Sequence, residues 1–234
     1  GMGHGDASHV SDIDLDNPGL EVFMVHEKRP YGYDLRDART GRILLRDTSD
    51  HDTGRGLMAD LDAHHRGGEL MSASHHMMLS AHGEPIAPWR VGSVTSSGLN
   101  ARIYWDGDLL DEYMDRAHID HWDSEAHTFT RLATLSDNGS KTINGTKANA
   151  NLQADMLGDW REEVVHYDSA TCHLIITATT HPSPFPVPCL MDNHHYALAI
   201  GWQNCCYNQP PHLDHNLIER YTITAQCTQP DARD

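Results

Sequence analysis

Apolar positions in this chain come in short runs that nearly alternate with polar ones, and turn residues interrupt them every few positions. Glu21-Val22-Phe23-Met24-Val25-His26 is one such run. A turn over 28–32 follows, then Tyr33-Asp34-Leu35-Arg36-Asp37, the tight turn Ala38-Arg39-Thr40-Gly41, and Arg42-Ile43-Leu44-Leu45-Arg46. Alternate residues of a strand face the same side, so this spacing predicts strand, turn, strand, turn, strand. Residues 163–167 and 172–179 repeat the scheme. No stretch keeps a 3.6-residue apolar period over three turns. Residues 109–116 come nearest and are read as β. The runs at 196–202 and 221–224 are expected to supply further strands in a C-terminal tail. Residues 181–188 hold four prolines and are expected to form an exposed connection.

An acidic motif precedes several of these runs. It begins at Asp12, Asp60, Asp106 and Asp155, spacings of 48, 46 and 49 residues. A fixed period in this range is the signature of a repeat architecture. Three or four short strands per repeat is a propeller-blade pattern. The expected fold is therefore all-β: one β-propeller segment over residues 1–234, with four blade repeats and a tail.

The motifs also carry candidate chemistry. Ca²⁺ takes six to eight oxygen ligands from flexible acidic loops. Asp12, Asp14, Asp16 and Glu21 match such a loop best. Asp60, Asp62 and Glu69 match with fewer ligands. Asp155, Asp159 and Glu162 (or Glu163) fit loosely, and Asp106, Asp108 and Asp111 least specifically. His26, with His4 and His9, lies around the first motif and is a further candidate ligand. No helices flank the first loop, which sets it apart from an EF-hand.

Composition narrows the function classes. The formal net charge of −17 argues against nucleic acid, whose binding needs a basic face. Mean hydropathy is −0.56, and no window approaches 18 consecutive apolar residues, so membrane insertion is not expected. No secretory signal is visible at the start, and Gly1-Met2-Gly3 looks like an expression scar. The five cysteines show no CxxC spacing, so a zinc or redox motif is unsupported.

Several motifs then occur in one order. They are Gly3-His4-Gly5-Asp6, the Asp12 loop, Tyr31-Gly32-Tyr33 with Thr40-Gly41-Arg42-Ile43, and Asp52-Thr53-Gly54-Arg55-Gly56. Tyr104-Trp105-Asp106-Gly107-Asp108, Asn144-Gly145-Thr146-Lys147, the 153–163 segment, and Trp202-Gln203-Asn204 with Tyr207-Asn208-Gln209-Pro210-Pro211 complete the set. Together they resemble rhamnogalacturonan lyases of polysaccharide lyase family 11, over residues 3–212. The resemblance implies an eight-bladed propeller, bound Ca²⁺, and β-elimination on the rhamnogalacturonan-I backbone of pectin by secreted, periplasmic or cell-surface proteins. Only the C-terminal part of the family pattern is matched. The first expectation is therefore a Ca²⁺-dependent rhamnogalacturonan lyase; the alternative is an inactive fragment or carbohydrate-binding propeller piece, and a third, weaker idea is that two half-propellers pair as a homodimer through their unpaired edges.

The resemblance also implies a site. Lys147 is the candidate base for the C5 proton of a galacturonate, and it must be uncharged to act. Arg55 would neutralise a carboxylate or the leaving oxygen; arginine itself is a poor base. Asn144, Gly145 and Thr146 would contact sugar, and Tyr207 would stack on a sugar ring. Trp105 and Trp160 are expected to pack in the core.

Overall fold

A computed structural model describes residues 2–96, 98–205 and 209–227 of the chain. Its strands form four antiparallel sheets, each an up-and-down meander. The first holds β1 (Gly5–Ser11), β2 (Glu21–His26), β3 (Tyr31–Asp37) and β4 (Ile43–Ser49). The second holds β5 (Gly56–Ala59), β6 (Glu69–Ser72), β7 (His75–Leu79) and β8 (Pro85–Pro88). The third holds β9 (Ala101–Ile103), β10 (Glu112–Asp115), β11 (His118–Asp123) and β12 (Thr128–Thr134). The fourth, among the described residues, holds three strands: β13 (Leu152–Ala154), β14 (Glu163–Asp168) and β15 (His173–Thr177). Each repeat therefore starts one strand before its acidic motif, which links the first strand to the second.

One interaction explains why the motif recurs. The second strand of every sheet opens with a buried glutamate: Glu21, Glu69, Glu112 and Glu163. Each carboxylate accepts two successive backbone N–H groups of the preceding loop. Glu21 takes those of Ile13 and Asp14, Glu69 those of Leu61 and Asp62. Glu112 takes Trp105 and Asp106, and Glu163 takes Met156 and Leu157. A sharp loop leaves such donors unpaired, and the carboxylate satisfies them. Glu21 and Glu69, read from sequence as metal ligands, are thus occupied as loop clamps. The clamp also corrects the third repeat: Tyr104, not Asp106, stands where Asp12, Asp60 and Asp155 stand. Asp106 is the counterpart of Asp14 and Asp62, and all three accept from the N–H two residues on, at 2.9–3.2 Å.

The residue before each clamp reaches back to the previous repeat. Gly68 donates its N–H to the carbonyl of Ile13, Asp111 to Asp60, and Glu162 to Tyr104. At Gly67 (φ +91°) a Cβ would sit 2.4 Å from the Ile13 oxygen, so this approach requires glycine. Burial, then the Asp60 charge, holds the Glu69 carboxyl well above its usual range. Glu69→Gln keeps an acceptor and should unfold in urea close to the parent. Glu69→Ala strands two buried donors and should lose about 2–4 kcal/mol.

Apolar side chains fill the spaces between successive sheets. Phe23, Val25, Tyr33 and Leu35 meet Met58 and Leu70. Leu57, Met71 and Trp89 meet Tyr113, Trp122 and Phe129. Ile103, Trp105, Met114 and Ile119 meet Val164. The prolines of 181–188 are exposed as expected, although Val187 is buried.

The tail departs from expectation. Residues 196–202 and 221–224 lie in helices α1 (His194–Trp202) and α2 (Leu217–Cys227), not in strands. Asn193 caps α1 by accepting the Tyr196 N–H at 3.0 Å. Tyr196 buries against Trp160, Leu190, Leu213 and Leu217, and Ala199, three residues on, is buried too. A nine-residue helix mixing apolar and polar positions leaves too short a pattern to outvote β alternation.

A buried ion pair joins the third sheet, the fourth and the tail. Arg102 on β9 donates to Glu162 Oε2 at 2.8 Å, and its guanidinium lies 4.5 Å from the Tyr104 ring centroid. It also donates to the Pro211 carbonyl. Glu162 further accepts from the Tyr104 N–H, the Gln153 amide and the Tyr196 hydroxyl. Glu162, expected as a metal ligand, is instead the fully bonded partner of Arg102.

His9 and His212 form a second buried tie between β1 and the tail, sharing a hydrogen bond of 2.9 Å. The Gly56 carbonyl can only accept, so His9 Nε2 carries its proton and Nδ1 accepts from His212. Burial, chiefly, pushes His9 down to about 4, with Arg102 adding to the effect. The unfolded chain binds that proton near 6.5, so the His9 contribution is full above 6.5 and is lost as pH falls toward 4. The predicted loss is about 3 kcal/mol. Urea unfolding of the parent and of His9→Gln across this window should show a stability difference that shrinks on acidification.

Candidate functional site

The Asn144-Gly145-Thr146-Lys147 turn projects between the third and fourth sheets. Asn144, Gly145 and Ala148 all adopt left-handed backbone (φ +62°, +56° and +56°), which wraps 145–147 into a single tight turn. A bridge between Ile143 and Asn149 closes it. No atom comes within 4 Å of a Cβ built on Gly145, so the turn presents itself to open space.

Arg55, in the connection between the first and second sheets, crosses to this turn. Its Nη2 donates to the Thr146 carbonyl at 3.3 Å, and its Nη1 to Asn100 Oδ1 at 2.9 Å. Lys147 Nζ lies 4.0 Å from Asp6 Oδ2, at the start of β1. Both Asp6 and Asp52 aim carboxylates at Gly54: a Cβ there would lie 3.0 Å from Asp6 Oδ2 and 3.2 Å from Asp52 Oδ1. Burial, then the charges of Glu27 and Asp6, raises the Asp52 carboxyl, while Lys147 works against that rise. Glu27 Oε1 is in turn 3.1 Å from His4 Nδ1. The structure thus gathers Arg55, Thr146 and Lys147 beside His4, Asp6, Glu27 and Asp52. Of these last four, His4 was a candidate ligand from sequence, placed with the first acidic loop, and Asp6, Glu27 and Asp52 were assigned no role. The signal of Asp6 and Asp52 was present in the Gly-His-Gly-Asp and Asp-Thr-Gly-Arg-Gly motifs, and Glu27 lies in neither. Acidic spacing alone pointed elsewhere.

The acidic loops lie away from this place. β2 runs from Glu21, at the first loop, to His26, one residue short of Glu27. A strand of that length spans roughly 17 Å. His26 therefore stands at the far end from Asp12, Asp14 and Asp16. Its ring contacts the Gly3 carbonyl at 2.7 Å and Asp34 at 3.5 Å, and it is no ligand of that loop. Likewise β13 separates Lys147 from Asp155, close as they are in sequence.

Among the described residues, two groups have the donor geometry of a cation site: Asp14, Asp16 and His82, and Asp106, Glu112 and His121. In the first, His82 Nε2 is 3.0 Å from Asp14 and 3.7 Å from Asp16. In the second, His121 Nδ1 is 3.1 Å from Asp106, and Glu112 Oε1 is a buried acceptor without a hydrogen bond. The Asp106 hydrogen bond and the Glu112 carboxylate 4.0 Å away push His121 up to about 10, so a cation bound here would displace the imidazole proton. These hard oxygen and imidazole donors fit a divalent cation. Other expected ligands are already committed. Asp62 accepts from Trp122 and the His64 N–H, and Asp155 from the N–H groups of Gly158, Asp159, Trp160 and Leu190. Asp159 pairs with Arg161. Asp60 and Asp111 line a small cavity with Asp12, and Asp60 Oδ1 and Asp111 Oδ1 lack hydrogen bonds. Burial and its neighbours Glu21 and Asp14 lift Asp12 to about 6, and burial lifts Asp111 to the same value. Asp108 is exposed, and burial of its carboxyl, then Asp106, raises it. Tyr207, the expected stacking residue, lies outside the described residues. Trp105 and Trp160 are buried core residues, as expected.

No helix among the described residues is long and apolar enough to cross a membrane. Residues 1–226 match the sequence profile "Rhamnogalacturonan lyase family 11, C-terminal domain". The chain is 45% identical over 219 residues to the rhamnogalacturonan endolyase YesW of Bacillus subtilis strain 168, covering 93% of this chain and 34% of that protein. It is 38% identical over 236 residues to the exolyase YesX of the same strain, covering 93% and 37%. The crystal structure of YesW superposes with a TM-score of 0.84 at 44% identity, over 92% of this chain and 36% of that one. The Bacillus licheniformis family 11 lyase gives 0.82 at 42%, over 92% and 36%. The chain spans about a third of the length of these relatives. It belongs to rhamnogalacturonan lyase family 11, as a representative of that family's C-terminal domain.

Proposed function

We propose that this chain carries the proton-abstracting side of a Ca²⁺-dependent β-elimination on rhamnogalacturonan-I. The observation that carries the reading is the meeting of Arg55 with the Thr146–Lys147 turn beside Asp6. Those elements come from opposite halves of the chain and bring an arginine, a lysine and three carboxylates together.

In this reading Asn144, Gly145 and Thr146 bind the sugar through exposed polar groups. Arg55 faces the galacturonate carboxylate or the departing O4. Lys147 withdraws the C5 proton, and the C4–O4 bond breaks as the C4–C5 double bond forms. His4, Asp6, Glu27 and Asp52 are not one of the two groups with the donor geometry of a cation site; to hold Ca²⁺ their carboxylates would have to draw together, and the ion would then supply positive charge against the uronate carboxylate and the enolate-like charge that grows there. Asp14 with Asp16 and His82, and Asp106 with Glu112 and His121, would hold structural ions. The four sheets are four blades of a larger propeller, and the parent enzyme acts outside the cell.

Titration calorimetry with Ca²⁺ tests the metal assignment. Asp6→Asn with Glu27→Gln should remove the site nearest Lys147, weakening Ca²⁺ binding there at least ~10-fold and leaving the loop sites intact. Unchanged isotherms would remove these residues from the metal's shell. A second reading is a carbohydrate-binding piece without turnover, favoured by the chain's covering only 34% of the endolyase. Binding of rhamnogalacturonan-I oligosaccharides without unsaturated product separates it from the first.

A further inference from the structure

Four of the five tryptophans, Trp89, Trp105, Trp122 and Trp160, are buried, whereas Trp202 is 53% exposed. An indole carries a large apolar face, and leaving it in water points to recognition. Trp202 is the last residue of α1, and both ends of that helix are pinned beside the candidate site. His195 Nε2 donates to the Val10 carbonyl of β1 at 2.9 Å. Past the helix, the Gln203 amide exchanges two hydrogen bonds with the Gln153 backbone, at 2.6 and 3.0 Å. The Asn204 amide donates to the Ala150 and Asn151 carbonyls at 3.2 and 2.9 Å. β1 also carries Asp6, and Ala150 lies three residues beyond Lys147. α1 therefore ends between the same two segments that bring Asp6 and Lys147 together.

Two hollows adjoin there. The first is lined by Asn100, the partner of Arg55, by Ala148 and Asn149, and by Asn204. It shares Gln209 and Pro210 with the second, which opens beside Trp202 between Ser8, Val10 and Ala199. Ser8 stands two residues along β1 from Asp6, roughly 7 Å. The second hollow has a volume of about 40 Å³, which admits a methyl group or a few waters and no sugar ring. Among the described residues, no carboxylate, lysine or arginine lines it.

We infer that Trp202 is a stacking platform for a rhamnose residue of the polysaccharide, adjacent to the sugar held by the 144–146 turn, with the rhamnose methyl group in the hollow against Val10, Ala199 and Pro210. This rests on the reading of the Arg55–Lys147 cluster as a rhamnogalacturonan site. The backbone alternates rhamnose with galacturonate, and the two differ at C6: a methyl group on one, a carboxylate on the other. A carboxylate in this hollow would shed water and meet no counter-charge, whereas a methyl group gains by leaving water. The indole covers the C–H face of the ring. Because the two sugars alternate, a rhamnose on Trp202 sets a galacturonate in the neighbouring place, so the stack fixes the register of the chain.

Acrylamide quenching of tryptophan fluorescence reads Trp202 selectively, since the other four indoles are buried. In Lys147→Ala, which leaves the ligand uncleaved, a rhamnogalacturonan-I octasaccharide should lower the quenching constant at least ~2-fold as the ring displaces water from the indole. An oligogalacturonate of the same length should leave it unchanged. Trp202→Ala should weaken calorimetric binding of the octasaccharide at least ~10-fold and Trp202→Phe should restore most of it, with both melting temperatures at the parent's value. Octasaccharide that binds Trp202→Ala as tightly as the parent, or binds without shielding the indole, overturns the inference and leaves the lyase reading standing. Equal shielding by oligogalacturonate overturns the assignment of rhamnose. Octasaccharide that binds neither parent nor variant overturns both readings.

Discussion

Lys147→Ala is expected to lower the rate of unsaturated uronate release from rhamnogalacturonan-I by about 10²–10⁴-fold, the range for loss of a positioned general base. The loss should fall on kcat, with KM nearly unchanged. An interaction needed only as the C5 proton leaves contributes to the transition state and not to substrate binding. The fold should survive, because the side chain sits on an exposed turn and the Asp6 carboxylate is as far as 4.0 Å away. Arg55→Ala should behave differently. Arg55 also holds the Thr146 carbonyl and Asn100, so its removal loosens the turn and raises KM together with lowering kcat. Initial rates over a range of substrate concentration resolve the two patterns. Equal KM effects from both variants would contradict the division of roles.

Arg102 is where the largest loss of stability is expected. Arg102→Ala leaves the buried Glu162 carboxylate without its counter-charge, at a cost of about 3–5 kcal/mol. The Tyr104 ring and the Pro211 carbonyl lose their contact in the same change. Arg102→Met/Glu162→Gln removes both charges and keeps acceptors for Tyr196 and the Tyr104 N–H. It should therefore recover much of the stability lost by Arg102→Met alone. Urea denaturation of the three variants measures this directly. A double variant as unstable as the single one would place the energy in packing or in Asp111, whose buried carboxylate lies 3.5 Å from Arg102, and not in Glu162.

Much of the architecture was legible because strand alternation is a local signal. The 21–26, 33–37 and 163–167 runs form strands as their spacing predicts. The acidic repeat was visible too, but its meaning was only partly so. A glutamate that clamps two backbone N–H groups and one that binds Ca²⁺ look alike in sequence. The choice depends on where the loop donors point, which only the folded loop decides. The third repeat was misaligned by two residues because Tyr104 replaces the first aspartate. The tail was misread because Tyr196 and Ala199 bury through tertiary contacts that carry no long period. At the site, Arg55 and Lys147 were named and His4 was placed with the wrong loop, whereas Asp6, Glu27 and Asp52 went unassigned. They converge through the pairing of β1 with β2 and the path of the 50–55 connection, and no spacing along the chain encodes that meeting.

The central claim is that the cluster around Lys147 and Asp6 performs elimination in this chain. The most direct measurement is ultraviolet absorbance of unsaturated uronate during incubation of the 234-residue protein with rhamnogalacturonan-I and Ca²⁺. The account predicts a steady rise that stops on chelation, returns when Ca²⁺ is restored, and is nearly absent in Lys147→Ala. Folded, Ca²⁺-loaded protein that binds the polysaccharide and yields no unsaturated product would contradict it.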